Sequence, residues 1–352
     1  MAHPPMSPRP SGPGRRALLA GLAALPLPAA ASSRLAGALA ERAVSRGPVL
    51  WSASFDPAAT ARLIAVFNRD WPHIEVVVGP VATSEALGIA FSGGTPPALV
   101  TAGATHIHRL DQRGMLLPTN WTALGIDPRV PHSNQILTVA ASLGVLAWNR
   151  LRVSNSSAPT RLDDLLAERW SGRVGLSRNA SLLASRTRRA GVAPTRAWLR
   201  QILTHQPRLY DSPDDLAAGL AGNEIDVAYA PRHSIAAATI NDATINMAFT
   251  RRVALDSTYA GVIKGAPNSE GAQILAAWLA TLPGATALDS VVGSGNPYVT
   301  GSAAAAGVVG RDLSEYPIAA LGDYLSILSE FNHMLDPAIP GSTANPAMER
   351  AP

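Results

Sequence analysis

VLWSASFDPAATARLIAVFNRDWPHIEVVV, residues Val49 to Val78, decides the fold class. Val49, Leu50 and Trp51 make a short apolar run, Ser52, Ala53 and Ser54 a small polar turn, and Asp56 with Pro57 an N-cap followed by a proline at the first helical position. A helix then carries Leu63, Ile64, Phe67 and Trp71 on one face and ends near Pro72. Ile74 to Val78 reads as a second strand, of the buried kind that a parallel crossover needs. A strand, a helix N-terminus and a parallel return strand form the unit at whose carboxyl edge open α/β proteins bind ligands.

Outward from this unit, the pattern continues. A polar turn at Thr83 and Ser84 leads to a helix with Leu87, Ala90 and Phe91, then a strand over 98–101 and the small turn Gly103-Ala104-Thr105. Ile136 to Asn149 reads as two apolar strands flanking Ser142 and Gly144, where the chain crosses into a second domain. There, Thr160 and Asp163 suggest a capping box, and Ser177 to Ser181 forms a second polar turn running into a helix. Ser212 with Pro213 caps a further helix, and a buried strand ends at Tyr229 to Pro231. Strands around 253–255 and 259–263 return to the first domain, with helices at 269–282 and 322–335 packing there.

Composition bounds the setting. Arg15 and Arg16 precede an uncharged run from Ala17 to Ala31 that ends in three alanines, the pattern of an export leader cleaved near Ser32, with a twin-arginine character. That run is too short for the ~20 apolar residues of a spanning helix. The chain has no cysteine, so disulfides, thiolate metal sites and a lipid-modified cysteine are excluded, and no anchor of the mature form is expected. Of the formal charge of +4, Arg9, Arg15 and Arg16 in the leader supply three units, and Lys264 is the only lysine among 29 basic residues. No basic stripe with interleaved aromatics is present, so nucleic acid is not an expected partner. Residues 32–47 read as a loose helix or linker and 336–352, rich in proline and small residues, as a disordered tail.

The order of the segments resembles one family, the extracellular solute-binding proteins of bacterial ABC importers, in the branch of iron(III) and organic-anion binders. Five blocks carry the likeness: Val49 to Val78, Gly144 to Leu151 (GVLAWNRL), Pro159 to Leu176 (PTRLDDLLAERWSGRVGL), Leu209 to Tyr229 (LYDSPDDLAAGLAGNEIDVAY) and Gly261 to Leu282 (GVIKGAPNSEGAQILAAWLATL). The resemblance implies an α/β, two-lobed fold of the type II periplasmic-binding kind with two hinge crossovers. It places residues 48–140 and 256–335 in lobe 1 and 141–255 in lobe 2. It further implies a periplasmic monomer that holds a small-molecule solute in the inter-lobe cleft and delivers it to an inner-membrane permease with its ATPase, with no cofactor and no catalysis. The iron branch uses adjacent tyrosines, whereas Tyr229 is followed here by Ala230 and Pro231, and the first turn lacks histidine, so ferric iron is disfavoured.

The candidate solute residues are Ser52, Ser54, Thr83, Ser84, Ala104, Ser142, Ser177, Arg178, Asn179, Ser181 and Tyr229. Most lie in turns that open helices at strand ends, where exposed N–H groups and the positive helix end favour an anion, and Arg178 would add a bidentate fork. The expected solute is an organic anion, phosphorylated, phosphonate or carboxylate; a plainer role for any one of these hydroxyls is helix capping. His106 and His108 at two-residue spacing suggest a weak metal pair, and Arg186, Arg188, Arg189, Arg196 and Arg200 a solvated or docking face. Alternatives are a ligand-sensing partner of a membrane receptor on the same fold, an iron or polyamine binder, and an exported hydrolase. For the last, no Gly-x-Ser-x-Gly elbow, Gly-Lys-Ser/Thr loop or His-Glu-x-x-His helix is present.

Overall fold

Asp56 and Pro57 start the first helix as their chemistry dictates. The Asp56 carboxylate accepts from the amides of Ala58 (2.9 Å) and Ala59 (3.1 Å), two of the donors that a helix start leaves without partners. Replacing Asp56 by alanine is expected to cost about 1 kcal/mol, read as a lower urea midpoint at unchanged slope. The computed structural model describes residues 29–83, 88, 92, 95–241 and 244–336. The leader up to residue 28, Ser84, the helix expected around Leu87 to Phe91 and the tail beyond Asp336 lie outside them.

The first lobe begins with α1 (Ala29–Val44), β1 (Val49–Ala53), α2 (Pro57–Asp70), β2 (Val76–Val78), β3 (Leu99–Gly103) and α3 (Ala104–Gln112). The long strand β4 (Ile136–Asn149) then leads to β5 (Val174–Ser177), α4 (Ser181–Ala190), α5 (Val192–Thr204) and β6 (Arg208–Tyr210). α6 (Pro213–Ala221), β7 (Val227–Pro231), α7 (Arg232–Asn241) and β8 (Ile245–Ala248) follow. β9 (Arg252–Val262), α8 (Ser269–Leu279), α9 (Leu282–Val291), α10 (Ala303–Gly307), β10 (Asp312–Ser314) and α11 (Leu321–Leu335) complete the order.

Strands run in the order β2-β1-β3-β9-β4-β7-β5-β6. β1 is parallel to β2 and β3 in one lobe, and β5 is parallel to β6 and β7 in the other. β4 and β9 are the two crossovers. They pair antiparallel from Ile136 opposite Gly261 to Leu143 opposite Leu255, with a bulge between Thr138 and Ala140. From Gly144 onward β4 pairs with β7 instead, and β9 continues beside β3. β4 is thus one strand shared by the sheets of both lobes, while β9 pairs with β3, with β4 and, at its start, with β10. The expected pair of strands around Ser142, and the two expected strands at 253–255 and 259–263, are each a single strand, because the polar residues that looked like turns sit where the strand changes partners.

The two cores are separate. In lobe 1, Trp51, Leu63, Phe67, Leu99 and Ile107 are fully buried, and Trp278 of α8 stands edge-on to Phe67 with ring centroids 5.4 Å apart. In lobe 2, Leu146, Leu165, Val174, Leu199 and Val227 fill one side of the sheet and Leu216, Leu220, Ile225 and Ile235 the other. β2 corrects one expectation: it is an edge strand with Val77 and Val78 exposed, not a strand covered on both faces. Residues expected as a linker form most of α1, whose Leu39 and Ala43 are buried in the lobe 1 core, and the Asn268 side chain donates to the Ala43 carbonyl at 3.1 Å. In lobe 2 the capping acid is Asp164, not Asp163: its carboxylate accepts from the Thr160 and Arg161 amides, both at 2.9 Å, and from the Thr160 hydroxyl at 3.1 Å, at the start of a short 3-10 turn over Leu162–Leu166.

α11 was expected to pack with lobe 1 and instead bridges both lobes. Leu321 and Tyr324 join the first core, and Phe331 and Leu335 the second. Its Glu330 takes a two-pronged hydrogen bond from Arg196, its Asn332 side chain accepts from the Ala180 amide at 2.8 Å, and Asp336 just beyond it pairs with Arg178 at 2.9 Å. The arginine face is therefore partly internal: Arg196 is held by Glu330, Arg186 by Asp163 at 3.4 Å and Arg189 by the Leu313 carbonyl at 3.1 Å. His106 and His108 lie on α3, not on a strand, and the described residues hold no group of three or more His, Cys, Asp or Glu that could take a metal.

Candidate functional site

A cavity of about 140 Å³, partly open to solvent, lies at the carboxyl ends of the lobe 2 strands beside the two crossovers. Ser177 ends β5, Tyr229 and Pro231 end β7, and Ser181 and Pro213 open α4 and α6, so all reach the cavity from the same edge. Ser142 of β4 and Asp256 of β9, directly opposite in register, close it at the hinge. His233 of α7 completes the wall, its Nδ1 3.3 Å from the Ser142 hydroxyl.

Of the expected residues, Ser142, Ser177, Asn179, Ser181 and Tyr229 meet in this cavity. The Ser177 turn is organised as the sequence suggests: the Ser177 hydroxyl accepts from the Asn179 amide at 3.1 Å, and the Asn179 side chain from the Ser181 amide at 2.9 Å. Five residues are placed elsewhere. Ser52 is a strand residue, fully buried, whose hydroxyl donates to the Pro80 carbonyl at 2.6 Å, so it is structural and does not open a helix. Ser54 and Thr83 are exposed and do not line this cavity. Arg178 does not line the cavity and is held in ion pairs with Asp211 (2.8 Å) and Asp336 (2.9 Å). Ala104, at the start of α3, borders a second, much smaller cavity of about 10 Å³ on the other side of Asp256.

That smaller cavity is rich in hydroxyls and acids. Glu315 accepts from the hydroxyls of Ser257, Tyr298 and Tyr259, the last at 3.4 Å, and the Tyr316 hydroxyl meets Thr187 at 2.7 Å. Burial pushes the Glu315 carboxyl above the usual range; the three hydroxyls oppose this and the nearby Asp256 charge adds to it. Burial likewise raises Asp256, with the Ser181 hydroxyl as its opposing hydrogen-bond donor. Burial also raises the Tyr229 phenol and lowers the His233 imidazole, so both favour their neutral forms.

Glu315 and Asp256 bind protons more tightly folded than unfolded. Their contribution to stability is full below the ordinary carboxylate range and is lost as pH rises through their raised values. Glu330 runs the other way: the Arg196 hydrogen bond lowers its value, and its contribution is lost as pH falls through that value. Glu315→Gln is therefore expected to raise the melting temperature at pH 8 more than at pH 5, measured by calorimetric scans across that range.

No protein-family model and no curated protein sequence matches the chain. Solved structures do. The chain is similar to iron-bound HitA from Pseudomonas aeruginosa, at 18% identity and a TM-score of 0.66 over 81% of this chain and 99% of that one. It is similar also to the substrate-binding protein of an ABC transporter from Agrobacterium tumefaciens, at 12% identity and a TM-score of 0.65 over 83% and 96% of the two chains. A third is the Atu4243-GABA receptor, at 13% identity and 0.64 over 82% and 98%. The fold is that of the type II periplasmic binding proteins. On this fold, the cavity occupies the lobe 2 side of the hinge, and the residues that sequence reasoning missed include Asp256 and His233. The available signal for Asp256 was an acid standing between the apolar run Val253 to Leu255 and the mainly apolar stretch Tyr259 to Ile263.

Proposed function

We propose that the chain is the solute-binding component of a bacterial ABC importer, acting in the periplasm and delivering a small polar solute to a permease. The observation that carries this reading is the hydroxyl-lined cavity set against two crossover strands, where rotation about β4 and β9 would open and close it. The solved structures of this fold include a substrate-binding protein of an ABC transporter, iron-bound HitA and the Atu4243-GABA receptor. Ferric iron finds little support among the lining residues, which include Tyr229 as the single tyrosine. The organic-anion expectation loses its strongest element, since the Arg178 guanidinium already faces two carboxylates and the Ala180 amide is held by Asn332.

The test is native mass spectrometry of protein purified from its own periplasm, followed by thermal-shift screening against amines, carboxylates, phosphates and sugars. A retained or stabilising solute recovered chemically unchanged, together with co-purification of a permease, supports the reading. Turnover of the solute would replace it with an enzyme, and partnership with a receptor kinase in place of a permease would make it a sensor.

A further inference from the structure

We propose that the cavity takes a small organic ammonium ion, with the ammonium group seated on the Asp256 carboxylate. This rests on the solute-binder reading above and names the chemistry of the same site. Asp256 stands on β9 opposite Ser142 and lines the cavity floor. Its hydrogen-bond partner there is the neutral Ser181 hydroxyl, and no arginine or lysine is among the described residues that line the cavity. Asp256 is half-buried, and a carboxylate partly withdrawn from water without a cationic partner is costly, a cost that a ligand bringing the missing positive charge recovers on binding.

The groups around Asp256 fit the same sign. Asp211 at the rim already neutralises Arg178, and Glu315 adds a second carboxyl behind Asp256 through the smaller cavity. From the remaining neighbours, His233 on α7, Tyr229 on β7 and Tyr324 on α11 are each biased toward the neutral form by burial. The site therefore offers one carboxylate plus the oxygens of Ser142, Ser177 and Tyr229, acceptors suited to the three protons of an ammonium. Ser142 makes only long contacts, 3.3 Å to His233 and 3.4 Å to Ser294, which leaves its oxygen able to accept.

Titration calorimetry with γ-aminobutyrate, putrescine and butyrate tests this on the purified full-length mature protein. The expected result is that at least one amine binds about 100-fold or more tightly than butyrate, and that Asp256→Asn removes a comparable factor. Comparison of γ-aminobutyrate with putrescine then separates an amino acid from a diamine. Affinity should fall as pH drops and Asp256 takes a proton, a slope absent in Asp256→Asn and opposite to that of folding stability. Asp256→Glu, which keeps the charge, guards against a variant that fails to fold: it should keep the preference for amines. Equal binding of butyrate, an Asp256→Asn variant that holds the amine as well as the parent, or no response to amines while a sugar or phosphate binds, each overturns the assignment and leaves the binder reading standing. Failure of every solute class overturns both.

Discussion

Phe67→Ala is expected to remove about 3–5 kcal/mol of stability, the range for truncating a fully buried aromatic. Phe67 is fully buried on α2 and packs edge-on to Trp278, whose indole N–H donates to the Asp70 carboxylate at 2.7 Å one turn further along the same helix. Truncation leaves a void bounded by two elements far apart in sequence, and the hydrogen bond holds Trp278 in place so that it cannot collapse inward. Since whole domains are stable by only about 5–15 kcal/mol, lobe 1 should unfold first and separately. Calorimetry should show one transition split into two, with lobe 2 melting near its original temperature. A single transition at an unchanged midpoint would show that α2 does not anchor this core.

Gly144→Val should abolish solute binding while leaving most of the fold intact. Gly144 is the residue at which β4 leaves β9 and begins to pair with β7, opposite Pro231. A β-carbon there would lie 2.5 Å from the Tyr229 hydroxyl and 3.0 Å from the ring carbon that bears it. Tyr229 is buried and cannot yield toward the core, so the displaced ring must move into the cavity it lines. Overpacking of this kind costs about 1–3 kcal/mol, but the larger effect is occlusion of the site. Tyr229→Phe removes the closest contact, so Gly144→Ala should cost less affinity in a Tyr229→Phe background than in the parent. Calorimetric titration of the two single variants and the double variant checks this; an equal loss in both backgrounds would place the effect in the strand and not in the tyrosine.

Local chemistry was legible wherever a residue acts on its own neighbours. Asp56 caps α2, Ser212 accepts from the Asp215 amide at 3.0 Å to start α6, and the Ser177-Asn179-Ser181 turn folds on itself. Each of these bonds spans two or three residues, so the sequence window contains both partners. The same window misled where a polar residue inside an apolar run was read as a turn. Ser142 and Asp256 are polar because they face a cavity, and a strand can carry them because its other hydrogen bonds are satisfied by partners more than a hundred residues away.

Arg178 shows the limit most directly. Its position in a helix-opening turn suggested a fork for an anion, yet where a long side chain points depends on which charges surround it, and Asp336 lies 158 residues further along the chain. The bridging position of α11 is hidden for the same reason: its apolar face reads as one helix stripe, but two different cores share it.

The sequence by itself determined the alternation of strands and helices and the helix starts, since these follow from periodicity and from bonds between near neighbours, while the order of its segments carried the resemblance that implied two lobes. Only the tertiary structure decided that β4 and β9 are single strands, that Ser52 is core while Ser177 faces the cavity, and that an unpaired acid stands at the hinge. Those outcomes depend on which distant groups come together, and no local window of the chain contains both members of such a pair.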